Sequence, residues 1–442
     1  MFLNNVSTWR HGFVLFAIVF FSIMGVASAQ EEAAPSSTTV AEAAPATTAP
    51  SSGWLERDTM TGDWGGRRTS LKEEYGITIK PRFTQYYQGM PSGDGDHDAQ
   101  YGSKLDVLLN ADMNKLGLWK GLFMAVHAEY NSNNRIQGNG GAISPVNTAL
   151  FFPGIEDAET FDLSSVYLAQ KFGKDVSLLA GKMNMMDLAS TKPFMGGAGI
   201  DSFWNLVFVA PPSGAVPPYL FGAMLSVRTD AATYGLWVYD PDHCERVSCI
   251  ENGFDQGVTI RPSVEFPVTI AGLSGHQGFA FSYSNQKGTD LETIDDMFIP
   301  QWPVGAPTKN DRYYFAYTFD QYLYQSKEDP KQGFGLFGQF GISDGNPNNL
   351  RSLTLIGLGG MGLVPGRSRD NWGIGYYYVG PSDDLKDSLA FGETIQDEQA
   401  MEIFYNFEMT PWFTVGADVQ FINPGLKEDN AVFTGLRTVV RF

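Results

Sequence analysis

The stretch AVFTGLRTVVRF, residues 431–442, ends a chain of 442 residues with a net charge of −19. Chain ends are ordinarily solvated and frayed unless something ties them down, so a phenylalanine in last place asks for a reason. Read as a strand, its side chains alternate between two faces. Leu436, Thr438, Val440 and Phe442 share one, and Arg437, Val439 and Arg441 share the other. The first face is mostly apolar and the second carries two positive charges. A core between two soluble sheets accommodates the apolar face, yet it leaves the terminal aromatic unexplained.

The same alternation recurs from Ile77 onward. Ile77, Ile79 and Phe83 oppose Lys80, Arg82 and Thr84; Leu105, Val107 and Leu109 oppose Lys104, Asp106 and Asn110. Further on, Val126 and Tyr130 oppose His127 and Glu129, and Val258, Ile260 and Val264 oppose Thr259, Arg261 and Glu265. Sixteen such segments are expected, centred near residues 83, 108, 126, 167, 179, 224, 236, 260, 281, 317, 338, 356, 375, 404, 417 and 437. Several links between them are tight, as at 173–174, 229–230 and 410–411. The alternate links are long: 132–160, 183–218, 241–254, 286–310 and 380–398. Short turns on one side and long loops on the other, with charged residues facing a lumen and apolar ones facing lipid, is the pattern of an outer-membrane barrel. The predicted fold is all-β: a transmembrane antiparallel β-barrel of about 16 strands over residues 76–442. Paired aromatics at strand ends (Tyr86-Tyr87, Tyr313-Tyr314, Tyr376 to Tyr378) and Trp412 suit interfacial girdles, and Phe442 joins them.

The start of the chain sets the compartment. A basic Arg10, an apolar run from Phe13 to Val26 and Ala27-Ser28-Ala29 read as a signal peptide over residues 1–29. Its apolar run is short of the roughly 20 residues a spanning helix needs. Residues 30–53 are Ala, Pro, Ser and Thr with three glutamates, and read as a periplasmic tether. Residues 54–75 read as a short helical segment at the periplasmic mouth, with Asp63 as cap and Gly76 as stop. Cys244 and Cys249, in an exported chain, read as a local disulfide.

The segment MTGDWGGRRTSLKEEYGITI, residues 60–79, resembles the amino-terminal signature of the OprB-type carbohydrate-selective porins. Thr61, Gly62, Asp63, Trp64, Gly65, Gly66, Arg68 and Leu71 match it. The resemblance implies a sixteen-stranded barrel, a helix near the periplasmic mouth at roughly 63–75, and a third outer loop, 183–218, folded into the channel. The function it implies is passive diffusion of mono- or small oligosaccharides across the outer membrane.

Other chemistry finds little support. An acidic chain is a poor ligand for nucleic acid, since affinity for phosphate backbones rests on Lys and Arg. GLGGMG, residues 357–362, fits a dinucleotide-binding pattern, but Pro365 forbids the helix that must follow. DGDHD, residues 94–98, lacks the glycine and the later glutamate of a calcium loop. No cofactor, metal or enzymatic activity is expected.

Lumen-facing residues expected to line the sugar path are Lys80, Arg82, Tyr86, Asp106, Asn110, Glu129, Tyr167, Arg261 and Arg437, with Asn184, Lys192, Asp201 and Trp204 in the constricting loop. Tyr86, Tyr167 and Trp204 are candidates for stacking on sugar rings. The partners expected are carbohydrate, outer-membrane lipid and, compatibly, further copies of the chain. Two rival readings are a general or cation-preferring porin and a soluble exported glycan-binding β-protein.

Overall fold

A computed structural model describes residues 53–442 except 134, 152–159, 191, 243, 245–251, 294–306, 328, 330–331, 389–393 and 427–428. Sixteen strands form one closed, antiparallel barrel in which each strand pairs with its neighbours in sequence and the last pairs with the first. They are β1 (Ile77–Ser92), β2 (Gln100–Asp112), β3 (Leu122–Asn131), β4 (Thr160–Phe172), β5 (Val176–Asn184), β6 (Tyr219–Arg228), β7 (Thr233–Tyr239) and β8 (Thr259–Ile270). The second half is β9 (Leu273–Ser284), β10 (Arg312–Gln325), β11 (Gly333–Ser343), β12 (Leu350–Met361), β13 (Asn371–Pro381), β14 (Glu398–Thr410), β15 (Phe413–Asn423) and β16 (Ala431–Arg441). All sixteen expected centres fall within these strands.

The chain end is tied down on both sides. β16 pairs with β1, setting Val440 opposite Phe83 and Arg437 opposite Tyr86, and it pairs with β15 across the other edge. Phe442 donates its backbone N–H to the Pro81 carbonyl at 3.1 Å. Closure leaves no free sheet edge, which is what lets a sheet sit in lipid where an unpaired backbone group costs several kcal/mol.

The distribution of side chains is inverted relative to a soluble barrel. Phe279, Phe281, Phe315, Ile356, Ile403, Phe421 and Leu436 point outward and are exposed, whereas Asp106, Glu129, Glu402 and Arg437 are buried inside. Period two also splits the expected aromatic pairs. Tyr87, Tyr313 and Tyr376 face outward, while their neighbours Tyr86, Tyr314 and Tyr377 are buried within the lumen. Among the described residues no helix is long and apolar enough to cross a membrane; the strands make the crossing.

A helix, α1 (Arg67–Tyr75), leads into β1 and stops at Gly76, whose φ of 71° is in the left-handed region. Its N-cap is Gly66 rather than Asp63; Asp63 instead accepts from the Thr69 N–H at 2.9 Å. Residues 30–52 and Cys249 lie outside the described residues, as does the predicted signal peptide.

Candidate functional site

The barrel interior is filled from one side by the loop between β5 and β6, residues 185–218. Its seat is built from aromatic rings and from glycines on the wall. Phe203 stacks on Phe208 at 4.5 Å and meets Phe404 and Phe337 edge-on. The wall makes room by presenting no side chain beneath these rings. A β-carbon at Gly373 would lie 2.7 Å from Phe203 Cζ, and one at Gly435 would lie 2.6 Å from Trp204 Cζ3. Inward glycines at alternate positions, including Gly357 and Gly359, explain the GLGGMG run: it is a strand whose lumen face is left bare for its neighbours, and Gly359 faces the Phe194 carbonyl of the loop.

Polar groups then fix the loop's backbone. Glu402 on β14 accepts the N–H groups of Trp204 (2.5 Å) and Asn205 (3.1 Å). Arg437 on β16 donates to the carbonyls of Gly199 (2.8 Å) and Ser202 (3.0 Å) and to Asn406 Oδ1, and its guanidinium lies 5.0 Å from the Trp204 ring. Buried backbone groups need such partners, or each costs about 1–3 kcal/mol. The preceding loop adds to the plug. Thr148 donates to the Trp204 carbonyl, and Asn147 to Gln88 of β1.

Two clusters of charge meet the loop where it faces the open part of the lumen. On one side, Arg82 of β1 and Arg441 of β16 both contact Asp201, at 3.1 and 2.7 Å. Burial pushes the Asp201 carboxyl up, but Arg441, Arg82 and Arg437 outweigh it and hold the group below the usual carboxylate range. Arg82 also meets Asp106, which shares His127 with Asp187 of the loop helix Met185–Ala189: His127 reaches Asp106 at 3.0 Å and Asp187 at 2.9 Å. Asp106, His127 and Glu129 bring three ligand-type atoms within 4.8 Å of one another. Lys104, 2.6 Å from Glu129, supplies the counter-charge there, so the group is an ion-pair network rather than a cation cage. On the other side, Lys192 reaches Glu265 of β8 at 3.3 Å with both side chains more than two-fifths exposed, and His276 meets Asp320 at 3.0 Å.

The residues expected to line the path separate into three groups. Arg82, Asp106, Glu129, Asn184 and Asp201 come together on one side of the loop and Lys192 lies on the other. Asp106, Glu129 and Asn184, at most 2% exposed, are a correction, because the loop and their own ion pairs and hydrogen bonds close them to a sugar. Asn184 caps the loop helix by accepting from Met186 N–H, and its side chain donates to Glu129. Lys80, Asn110 and Arg261 lie on the wall away from these clusters, and Tyr167 packs beside Met185 and Leu188 of the loop helix; Lys80 is exposed, and the other three are half-buried. Tyr86, Trp204 and Arg437 are a correction. Tyr86 and Arg437 are on the lumen face with the loop directly over them, and Trp204 is the loop residue pressed against them; each is at most 1% exposed. Tyr86 donates to the Gly199 carbonyl and packs edge-on against Trp204, so both rings anchor the loop and are closed to a passing sugar. Parity placed Tyr86 and Arg437 on the inner face, and Trp204 was named by its place in the third loop; the loop's landing place had no signal in the strand pattern. Lys104, His127, Asp187, Glu265, His276, Asp320 and Arg441 were not singled out, although all but Asp187 sit on the polar face of a strand with period two.

A model of the carbohydrate-selective porin OprB family matches residues 96–442. The chain belongs to that family. Porin B of Pseudomonas aeruginosa is 23% identical over 438 residues, covering 88% of this chain and 91% of the relative. A high-pH structure of Pseudomonas putida OprB superposes with a TM-score of 0.74 at 21% identity, covering 88% of this chain and all of that one. The outer-membrane channel DcaP of Acinetobacter baumannii shares the fold with a TM-score of 0.51 at 10% identity, over 84% of this chain and 98% of that one. The OprB-type porin is therefore a bacterial outer-membrane barrel that serves carbohydrate passage.

Proposed function

We propose that the OprB-type porin passes neutral mono- and small oligosaccharides down their gradient along the water between the inserted loop and the strands facing it. The observation that carries this reading is the seating of residues 185–218 on the glycine-lined wall, which turns a wide barrel into a narrowed passage. A sugar entering such a passage sheds part of its hydration. Its hydroxyls then need donors and acceptors in place of water, because an unmade hydrogen bond costs about 1–3 kcal/mol. Charged groups of both signs supply them, and charge-assisted hydrogen bonds are the stronger kind. In this reading Arg82 and Asp201 act on one side and Lys192, Glu265, His276 and Asp320 on the other. Each is already paired within the protein, so a sugar competes for partners and binds weakly, as conduction requires.

The same reading holds residues 1–29 as an export signal, removed before assembly, and places the barrel with its long loops outward. It makes the protein a channel and assigns no bond-breaking step to it. Swelling of liposomes carrying the purified porin, measured with sugars of graded size, is the test. Fast entry of monosaccharides with a steep fall toward trisaccharides supports the reading. Equal rates for amino acids, salts and sugars of one size would favour a general porin instead.

A further inference from the structure

Three arginines inside the barrel stand apart from the ion pairs above; Arg437 is one, and its terminal nitrogens are spent on the loop. Arg82, Lys104, Lys192 and Arg441 each have a carboxylate within 4 Å. Arg261 on β8 and Arg312 on β10 have none among the described residues, and the Nε of each is buried without a hydrogen-bond partner. Arg261 lies over the ring of Trp237, directly across from it on β7, at 4.5 Å. Arg312 opposes Ser284 on β9, and Ser284 opposes Thr259 on β8, whose buried hydroxyl is also unpartnered. The two guanidinium groups thus sit on neighbouring rows of the same inner wall, near the long-loop end. Two strand spacings, about 10 Å, separate them across the sheet.

Arg312, Ser284 and Gln286 line an open recess of about 260 Å³ under the proline-rich end of the inserted loop, Gly214 to Pro218. That is just below the range of about 300–1,000 Å³ common for drug-sized ligands, a size suited to one sugar ring. The nearest acids to Arg312, Asp242 and Asp344, form no ion pair with it; they accept from Gln286 and from the Tyr313 N–H and act on it only at longer range. A guanidinium presents a planar fork of donors that matches a carboxylate or phosphate. In a chain of net charge −19, two such forks left open in succession are the exception.

We infer that Arg312 and Arg261 form an outer subsite for hexose derivatives carrying one anionic group, with the recess taking the anion at Arg312 and Arg261 receiving it next. This rests on the porin reading above and adds a substrate class to it: sugar acids or sugar phosphates alongside neutral sugars. Ser284, Gln286 and Thr259 meet the sugar's hydroxyls. Arg261, already stacked on Trp237, keeps its edge free for the charge.

The test is flux of glucuronate, glucose 6-phosphate and glucose into liposomes, for the wild-type porin and for the Arg261→Gln/Arg312→Gln double variant. Folding is checked by heat-modifiable gel mobility, and Arg312→Gln alone serves if the double variant fails to assemble. The ratio of anionic-sugar to glucose flux is expected to fall about tenfold, the low end of electrostatic steering. A fall for glucuronate alone assigns a carboxylate, and a fall for both assigns either anion. An unchanged ratio overturns the inference, as does a change confined to chloride permeability. Wild-type porin that passes no glucose would instead overturn the porin reading itself, so the two failures are distinct.

Discussion

Gly375 on the barrel wall lies so close beneath Phe208 of the inserted loop that a β-carbon at 375 would come within 2.5 Å of the ring carbon Cε1. Wall and loop therefore specify each other at single-atom resolution. Phe208 is fully buried and also meets Tyr377 edge-on at 5.6 Å. The narrowing of the channel rests on this fit.

Gly375→Val puts three carbons where the ring now sits. Overpacking of this kind costs about 1–3 kcal/mol, and the loop, not the sheet, is the part free to move. Larger and noisier single-channel currents are expected, with trisaccharide entry rising relative to glucose. Unaltered conductance with unaltered sugar discrimination would show that Phe208 does not hold the loop in place.

Arg437→Met removes three donated hydrogen bonds, leaves the Ser202 carbonyl without its donor, and leaves Gly199 held by Tyr86 alone. The loss is on the order of 3 kcal/mol. It should appear as faster proteolysis within residues 190–210 and a lower Tm. A variant with normal loop protection and a changed affinity for sugar alone would return Arg437 to the lining of the path.

The contacts of Asp201 with Arg82 and Arg441 depend on its charge. Its folded value lies below the ordinary one of about 3.9, so its contribution is fully present above that value and is lost as pH falls through the lower folded value. The difference in loop protection between wild type and Asp201→Asn should accordingly be constant from neutral pH down to about pH 5 and shrink only in stronger acid. A difference that vanishes between pH 6 and 7 would place the titration on another group.

Lys192 and Glu265 are both substantially exposed, so their pairing stabilises by no more than about 1 kcal/mol. Lys192→Gln should leave Tm nearly unchanged and yet shift the reversal potential in a salt gradient toward cations, because Glu265 then faces the water alone. A large drop in Tm with no change in selectivity would make the pair structural.

The barrel was legible because a side-chain period of two, recurring in strand after strand with only local bulges, has one interpretation once the outward face is apolar. The lining of the path was legible only in part. Parity puts Tyr86 and Arg437 inward, but whether an inward residue meets water or another segment depends on where a loop lands. That landing place is written in glycines such as Gly373 and Gly375, which on their own read as weak strand residues. Arg82 and Asp201 were each visible as charged groups; their meeting across 119 positions of sequence is a property of closure. Arg312 gave no sign at all, since its distinction is the carboxylate it lacks among the described residues.

Single-channel conductance in the presence of neutral polymers of graded radius measures the bore directly, and with it the claim that residues 185–218 set the passage. Wild-type porin is expected to exclude polymers that enter the Phe203→Ala/Phe208→Ala variant, whose conductance should rise as its cut-off radius widens. Identical cut-offs in the two proteins, with the variant correctly assembled, would contradict the account.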